Sequence, residues 1–565
     1  MYVLLTGSPH SGATLTLLDA EGAPAGPART VSPGDLAAVC AEYEATHAPR
    51  WVWSDATQWY PQLLRAGVTL ARCVDLRLGH AVLAHSPAVP AGAFFVAADS
   101  PWPRTDPALE PDVPEDLVTL FDAVDRRGDF EPAEVFSEFS RQRAALATAV
   151  AADPIAGSRL RLLLAAESGG ALIAAEIYAR GLPWSAAEHD RILTRELGPR
   201  PRFGGRPERL EELAVVIRAE LDAPTLNPDS PQEVLRALNR AGIAVASTSK
   251  WLLKDIKHPV IEPLLRYKSL SRLLTANGWT WLDTWVRDGR YRPEYVVAGT
   301  ATGRWATSAG GAMQLPAQIR AAVRSDPGWT LVVADAAQLE PRIIAGMSRD
   351  EAMAAAGAGK DLYQGLVDAG VVPTRAQAKL AMLGALYGAT GGESGALMPR
   401  LRRAFPRSIE LVESAARAGE RGRSVSTWLG RASPVPEPEW FEFQRRAGQV
   451  DGSEAERRRA GTLARDWGRF SRNFIAQGTA AEWALCWMAG LRTRLAAMDP
   501  DPVARPHLVY FLHDEVVVHA PVRRAAEVAA AIEEAASEAG RLLFGRFPLD
   551  FPLSVAIVER YDEAK

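Results

Sequence analysis

Three short stretches hold the residues best suited to chemistry. In VYFLHDEVVVHAP, the adjacent acids Asp514 and Glu515 follow His513 and interrupt runs of β-forming apolar residues. In TLVVADAAQLEPR, Asp335 stands at the C-terminal edge of the run Leu331-Val332-Val333. Carboxylates at strand ends attract hard cations. Two of them far apart in sequence are the least ligand set for two-metal phosphoryl transfer, in which the cations stabilise the attacking and leaving oxygens. Between them, TRAQAKLAMLGALYGAT spaces Arg375, Lys379, Leu383 and Tyr387 one helical turn apart, so they share a stripe. Two cations and an aromatic on one face suit a triphosphate.

The elements that must position these residues follow from the pattern around them. From residue 330 the chain reads as a strand, several helices, a β-hairpin around His513, an Ala/Glu helix over 523–543 and a terminal strand. Residues 1–155 alternate short apolar runs with Ala/Leu-rich helical stretches, which predicts a separate α/β domain. Pro and Gly punctuate 86–118, which predicts a long surface connection. Residues 133–199 read as helical, GPRPRFGGRPER (198–209) as a connector, and the helices beyond it as broken at Pro259 and Pro263. A chain of 565 residues exceeds one hydrophobic core and implies about three to five structural units.

Composition narrows the partners. Net charge is −4, which argues against coating nucleic acid through overall charge but leaves room for a local basic channel. Arginines cluster in 399–407 and 456–472, where they can neutralise phosphates or form a solvated face. Cys40, Cys73 and Cys486 are far apart and fit neither a disulfide framework nor a zinc site; they read as small buried apolar residues. No run of eighteen apolar residues and no signal peptide is legible, so a cytoplasmic, nucleoid-associated monomer with no membrane partner is expected. High Ala, Arg, Gly and Pro with little Lys suggests a GC-rich bacterial genome, with a phage origin also open.

Two further patterns accompany the first three: Thr302-Gly303-Arg304 followed by Gln314-Leu315-Pro316, and Arg469-x3-Asn473-x3-Gln477-Gly478-Thr479-Ala480-Ala481. Taken in order, all five resemble the motifs of the family A DNA polymerases, the group of bacterial DNA polymerase I. With the thumb-like pattern of 246–274, the resemblance runs over roughly residues 205–565. It implies a multidomain α/β and α+β fold: a right-hand polymerase of palm, fingers and thumb, preceded by an RNase H-like exonuclease-type α/β domain. The expected divisions are 1–155 for that domain, 156–204 for the connection into the palm and 205–299 for the thumb. The palm is expected over 300–350 and 466–565, with the fingers between, over 351–465.

What the resemblance implies for the site is specific. Asp335, Asp514 and the Ala336 carbonyl would bind two Mg2+ ions, or Mn2+, with Glu515 behind them. Arg375 and Lys379 would bind the triphosphate of a deoxynucleotide, Lys379 also protonating the leaving pyrophosphate. Gln338, Leu383, Tyr387 and His513 would complete the nucleotide pocket, and Glu340 would exclude a ribose 2′-hydroxyl, oriented by Arg342. Arg304, Gln314, Arg342, Arg469, Asn473, Gln477, Tyr387 and Gly388 would hold primer-template DNA without reading sequence. The chain departs from the family pattern at Ala336 and Ala337, at Pro341, which predicts a late start for the helix after the strand, and at Leu383, where an aromatic is usual.

The first strands lack the Asp-x-Glu of a proofreading 3′-to-5′ exonuclease, and Trp59 falls where a catalytic aspartate would stand in 51–76. A degenerate exonuclease domain and no 5′-nuclease domain are therefore expected. The function that follows is templated DNA synthesis without proofreading, in repair or gap filling. The alternatives are a polymerase with an active exonuclease, or a catalytically weak DNA-binding scaffold.

Overall fold

The computed structural model describes residues 1–97, 100–102, 130–202, 204–307, 311, 315–359, 361–388, 392–450 and 452–564. Gln314 and most of the Pro/Gly stretch of 86–118 lie outside the described residues. The chain divides into two compact units. One comprises Met1–Arg180, Glu294–Ser308 and Val332–Ile557; the other comprises Gly181–Pro293, Ala309–Leu331 and Val558–Lys565.

Among the described residues the first unit holds two sheets of four or more strands, and a two-stranded ribbon that pairs Tyr295–Val296 with Ala306–Thr307. Its N-terminal sheet has the strand order Arg29–Val31, Gly12–Leu18, Tyr2–Ser8, Arg50–Trp53, Arg72–Asp75. The first three are antiparallel and the last two join in parallel, with Tyr2 opposite Arg50 and Arg50 opposite Arg72. Val3, Leu4, Leu5, Trp51, Val52 and Trp53 are all buried, as expected of strands covered on both faces. The helix Pro132–Ala152 supplies Val135 and Phe139 to Leu4 and Val52 on one side. The helix Pro154–Arg180 packs along the last strand, where Ser168 accepts at its carbonyl from the Cys73 thiol at 3.2 Å. By length and composition this helix alone, among the described residues, is apolar enough to cross a membrane, but most of its apolar window is buried against the sheet and its neighbours.

The second sheet has the order His507–Leu512, Glu515–Pro521, Trp329–Ala336, Leu553–Val558. Every residue of Glu515–Pro521 is buried, because a 45-residue helix, Glu454–Met498, and the helix Ala525–Phe544 pack behind. The long helix opens on a capping box in which Ser453 accepts from the Glu456 amide and Glu456 accepts from the Ser453 amide. It runs unbroken through the arginine cluster and the Arg469–Ala481 pattern, so the expected division at 465 falls inside it. Between the two central strands of this sheet, seven helices among the described residues occupy 339–447 and enclose a core of Met353, Leu362, Leu366, Met382, Leu401 and Phe405.

Two proline expectations are corrected. The helix after Asp335 is Leu339–Ser348, and it begins two residues before Pro341. Pro263 likewise lies in the first turn of Ile261–Asn277 and breaks nothing, whereas Pro259 does precede that helix. In the first turn a proline's missing N–H would have had no intrahelical partner, so neither helix loses a bond.

The second unit is helical, with Ala186–Leu197, Glu208–Glu220, Pro231–Arg240 and Ile261–Asn277 around a three-stranded patch of short strands. Trp184, Trp281 and Tyr291 pack around His189, whose imidazole burial holds down to a pKa of about 4.

Candidate active site

The sheet edge brings Asp335 and Asp514 together. Glu515–Pro521 pairs antiparallel with His507–Leu512, Leu512 opposite Glu515, leaving His513 and Asp514 as the turn. The Asp514 amide donates to the Leu512 carbonyl at 2.7 Å across His513, whose φ is +57°. A bond from i to i+2 with positive φ belongs to the rarer γ-turn, a strained form. The turn is also tied sideways, since the Ala336 amide donates to the Asp514 carbonyl at 2.9 Å. That bond sets the end of Trp329–Ala336 beside the turn. Burial first, and the Asp335 charge next, push the Asp514 carboxyl up to about 6. Glu515 points into the fold and is buried.

Gln338, in the left-handed region at φ +49°, turns the chain from this strand into Leu339–Ser348. Its side chain bonds both ways to the start of the helix Leu362–Asp368. Its Nε2 donates to Asp361 at 3.0 Å, and its Oε1 accepts from the Leu362 amide at 3.2 Å. A cleft opens over this turn, lined by Arg304, Gln338, Glu340, Leu383, Tyr387, His513 and Asp514.

Glu340 is held from two sides. Arg304 donates to its Oε1 at 2.6 Å and the Tyr387 hydroxyl to its Oε2 at 2.5 Å. Burial and this carboxylate push the Tyr387 phenol well above its ordinary range, and the Gln477 amide also bonds the same hydroxyl. Arg304 is presented by a closed turn. The Thr300 amide donates to the Arg304 carbonyl, and the Gly303 amide to the Thr300 carbonyl. The strand before it is fixed by the Tyr295 hydroxyl, which donates to the Phe511 carbonyl at 2.6 Å.

The stripe Arg375–Lys379–Leu383–Tyr387 is a helix, Arg375–Tyr387, with Thr374 as N-cap and Gly388 ending it at φ +73°. Leu383 and Tyr387 face the cleft. Arg375 bonds Asp361 at 2.8 Å, and Lys379 is exposed. A Cβ on Gly388 would lie 2.9 Å from the Arg469 side chain, so glycine lets the helix end close onto Arg469, itself exposed and paired with Asp466. Gln477 and Asn473 are half-buried on the same long helix, and the Asn473 Oδ1 is buried with no hydrogen-bond partner.

One sequence expectation is overturned. Arg342 neither orients Glu340 nor reaches a surface where DNA could lie. It is fully buried, its Nη1 donating to the Asp550 Oδ1 at 2.8 Å and the Gly357 carbonyl at 2.9 Å, and its Nε to the Ala337 carbonyl at 3.2 Å. The fold reverses its side chain because the helix Leu339–Ser348 buries that stripe. Arg304 and Tyr387 hold Glu340 instead. Asp361 was missed by sequence reading, although an aspartate directly before Leu362-Tyr363 carries the signature of a helix cap.

The N-terminal sheet carries acids too. Asp75 ends its strand and accepts from the Ala56 amide at 2.8 Å and the Leu78 amide at 3.0 Å, capping two helices. Arg77 pairs with Asp55 at 2.5 Å. Trp59 is buried. Among the described residues no three His, Cys, Asp or Glu side chains form a metal-binding group.

Comparison with known proteins agrees with this geometry. Residues 207–559, more than half of the chain, match the family described as DNA polymerase family A, and the chain belongs to that family. It is similar to the thermostable DNA polymerase I of Thermus filiformis, 29% identical over 55% of this chain and 37% of that one. It also resembles a thermostable DNA polymerase I of Thermus thermophilus, 28% identical over 67% of this chain and 44% of that one. The chain thus spans less than half the length of these relatives. Its fold resembles the POL domain of Pol1 from M. smegmatis, solved in complex with DNA primer-template and dNTP. The TM-score is 0.66 and the identity 18%, over all of this chain and 95% of that one.

Proposed function

We propose that this protein is a DNA-directed DNA polymerase that adds deoxynucleotides to a primer 3′ end. The observation that carries this is the convergence of Asp335 and Asp514, from segments far apart in sequence, beside a cleft that Asp514 lines together with Leu383 and Tyr387 of the Arg375–Tyr387 helix.

The residues fit two hard cations. The Asp514 carboxyl, pushed up to about 6 by burial and then by the Asp335 charge, is relieved by a divalent ion, and the all-oxygen donor set of the two acids is that of Mg2+, with Mn2+ as a substitute. Asp335 and Asp514 would hold the ions with the Ala336 carbonyl, and Glu515 supports the turn. Mg2+ commonly takes one or two carboxylates and completes its shell with water and substrate phosphates, so a larger protein cage is not required. When bound, the ions activate the primer hydroxyl and neutralise the phosphates.

The remaining roles belong to the chain. Lys379, exposed, and Arg375, once it exchanges Asp361 for phosphate, bind the triphosphate, and Lys379 supplies a proton to the leaving group. Gln338 and His513 flank the nucleotide. The Glu340 carboxylate, held by Arg304 and Tyr387, occupies the cleft where a 2′-hydroxyl would require space, which favours deoxyribose. Leu383 fills the sugar side without a flat face. Arg304, Gln314, Arg469, Asn473, Gln477, Tyr387 and Gly388 contact primer-template. In this reading 205–299 is the thumb, 351–465 the fingers and 300–350 with 466–565 the palm, and the protein acts as a cytoplasmic monomer. The N-terminal domain does not proofread, because its strand-end acids cap helices or pair with Arg77.

Extension of a labelled primer-template with Mg2+, in parallel lanes with and without deoxynucleotides, tests this. Growth with nucleotides and an intact primer without them is expected. Shortening without nucleotides would show an active exonuclease, and no change in either lane would leave a DNA-binding scaffold.

A further inference from the structure

Behind the Thr302–Gly303–Arg304 turn lies a buried charge network that none of the roles above uses. Glu167 sits midway along the helix Pro154–Arg180, which packs on the N-terminal sheet, in an otherwise apolar stretch, and is 1% exposed. Its Oε1 receives the Arg431 guanidinium, which is 8% exposed. A second buried carboxylate, Glu482 of the long helix, accepts from the Thr427 hydroxyl and, at 2.9 Å, from the Leu429 amide. It thereby shapes the loop that carries Arg431. The loop is closed further by the Thr427 amide donating to the Arg431 carbonyl, and is anchored to the N-terminal domain where the Ser86 hydroxyl donates to the Gly430 carbonyl at 2.7 Å.

The guanidinium lies directly under Gly303. A Cβ built there would be 2.5 Å from the Arg431 Nε and 3.0 Å from its Cζ, so the turn closes directly onto the guanidinium. Gly303 has φ +80°, and Gly478 brings the long helix within 3.1 Å of the Thr302 carbonyl, measured from a built Cβ. The turn is thus seated, and the next residue, Arg304, is the one that fixes Glu340.

We propose that Glu167 and Arg431 are positioning residues for nucleotide selection: the helix Pro154–Arg180, through this ion pair, sets the Thr302–Arg304 turn and with it the Arg304–Glu340 contact in the cleft. Removing either partner leaves a buried charge uncompensated and lets the planar seat move. This rests on the polymerase reading, and on Glu340 facing the sugar.

The test measures ternary-complex affinity on a dideoxy-terminated primer-template, titrated with a deoxynucleoside triphosphate or its ribonucleotide counterpart, so no turnover is needed. Wild type should prefer the deoxynucleotide. Glu167→Gln, which keeps shape and removes charge, should lower that preference roughly tenfold, on the scale of small misplacements in a reacting site. Primer-template affinity, to which Arg304 is one contact among several, should change far less than that preference. Gly303→Ala, which pushes the seat from the other side, should do the same. Arg431→Lys, which keeps the charge but loses the planar fork, replaces Glu167→Gln should that variant fail to melt cooperatively. Folded variants that select as wild type does would overturn the inference while the polymerase reading stands. A wild type that binds neither nucleotide would overturn both.

Discussion

The two sheets of the first unit end in the same chemistry and put it to different uses. In each, an aspartate closes a strand, a second acid stands near it, and burial raises the pKa of one of the two: Asp75 to about 7 and Asp514 to about 6. At the N-terminal sheet the conflict is answered from within the fold. Asp75 accepts two helix amides, and Asp55, in spite of burial, is held below the ordinary carboxylate range by the Arg77 cation and the Thr57 amide. At the other sheet Asp514 lines a cleft, beside Arg304, which donates to Glu340. The same residue types thus hold the fold together at one sheet and face an open cleft at the other.

The comparison breaks most readily by neutralising one acid from each sheet. Asp335→Asn or Asp514→Asn should cut single-turnover primer extension by roughly three orders of magnitude with duplex affinity retained by anisotropy. Asp55→Asn should leave the extension rate within about twofold, as expected of a group remote from the chemistry. Equal losses in both would mean the N-terminal acids also serve the reaction.

Glu340→Ala, which removes the carboxylate that Arg304 and Tyr387 hold in the cleft, should raise ribonucleotide incorporation by about one to two orders of magnitude relative to deoxynucleotide. Unchanged selection in competing-nucleotide assays would place the gate elsewhere. A third probe is metal itself. Mg2+ should raise the melting temperature of wild type and of Asp55→Asn alike, and should not raise that of Asp335→Asn.

The smallest effect concerns pH. Asp75 is raised from 3.8 to about 7, chiefly by burial and then by Asp55. A carboxyl raised on folding binds its proton more tightly in the native state. Its contribution is therefore complete below the unfolded value of 3.8 and is lost as pH rises through about 7. Asn cannot titrate, so the stability of wild type relative to Asp75→Asn should be greatest near the acid end and fall as pH rises toward about 8 in melting experiments. A gap constant with pH would show that Asp75 stays ionised throughout.

Much of this was legible in residue order. Apolar runs ending in Asp335 and before His513 became strands of one sheet, and the spacing of Arg375, Lys379, Leu383 and Tyr387 became one helix ended by Gly388. Periodicity reports which residues share a face, and it did so here. It does not report which face is covered, and Arg342 was misjudged for that reason. Its fully buried guanidinium serves Asp550 and two carbonyls. Asp361, which receives Arg375, and Arg304, which receives Glu340, lie 14 and 36 residues from their partners, beyond the reach of any local pattern. Glu167 did leave a trace: a single acid within an apolar helical stretch signals a buried partner, but nothing in the sequence says that the partner is Arg431.

Sequence alone determined the strands, the helix stripe, the acids at strand ends and the family these resemble, because each depends on residue type and short-range spacing. Tertiary structure decided which charges are neutralised. The caps at Asp75, the burial of Arg342 and the seat beneath Gly303 all arise from long-range packing, which sets the desolvation and the partner of every ionisable group.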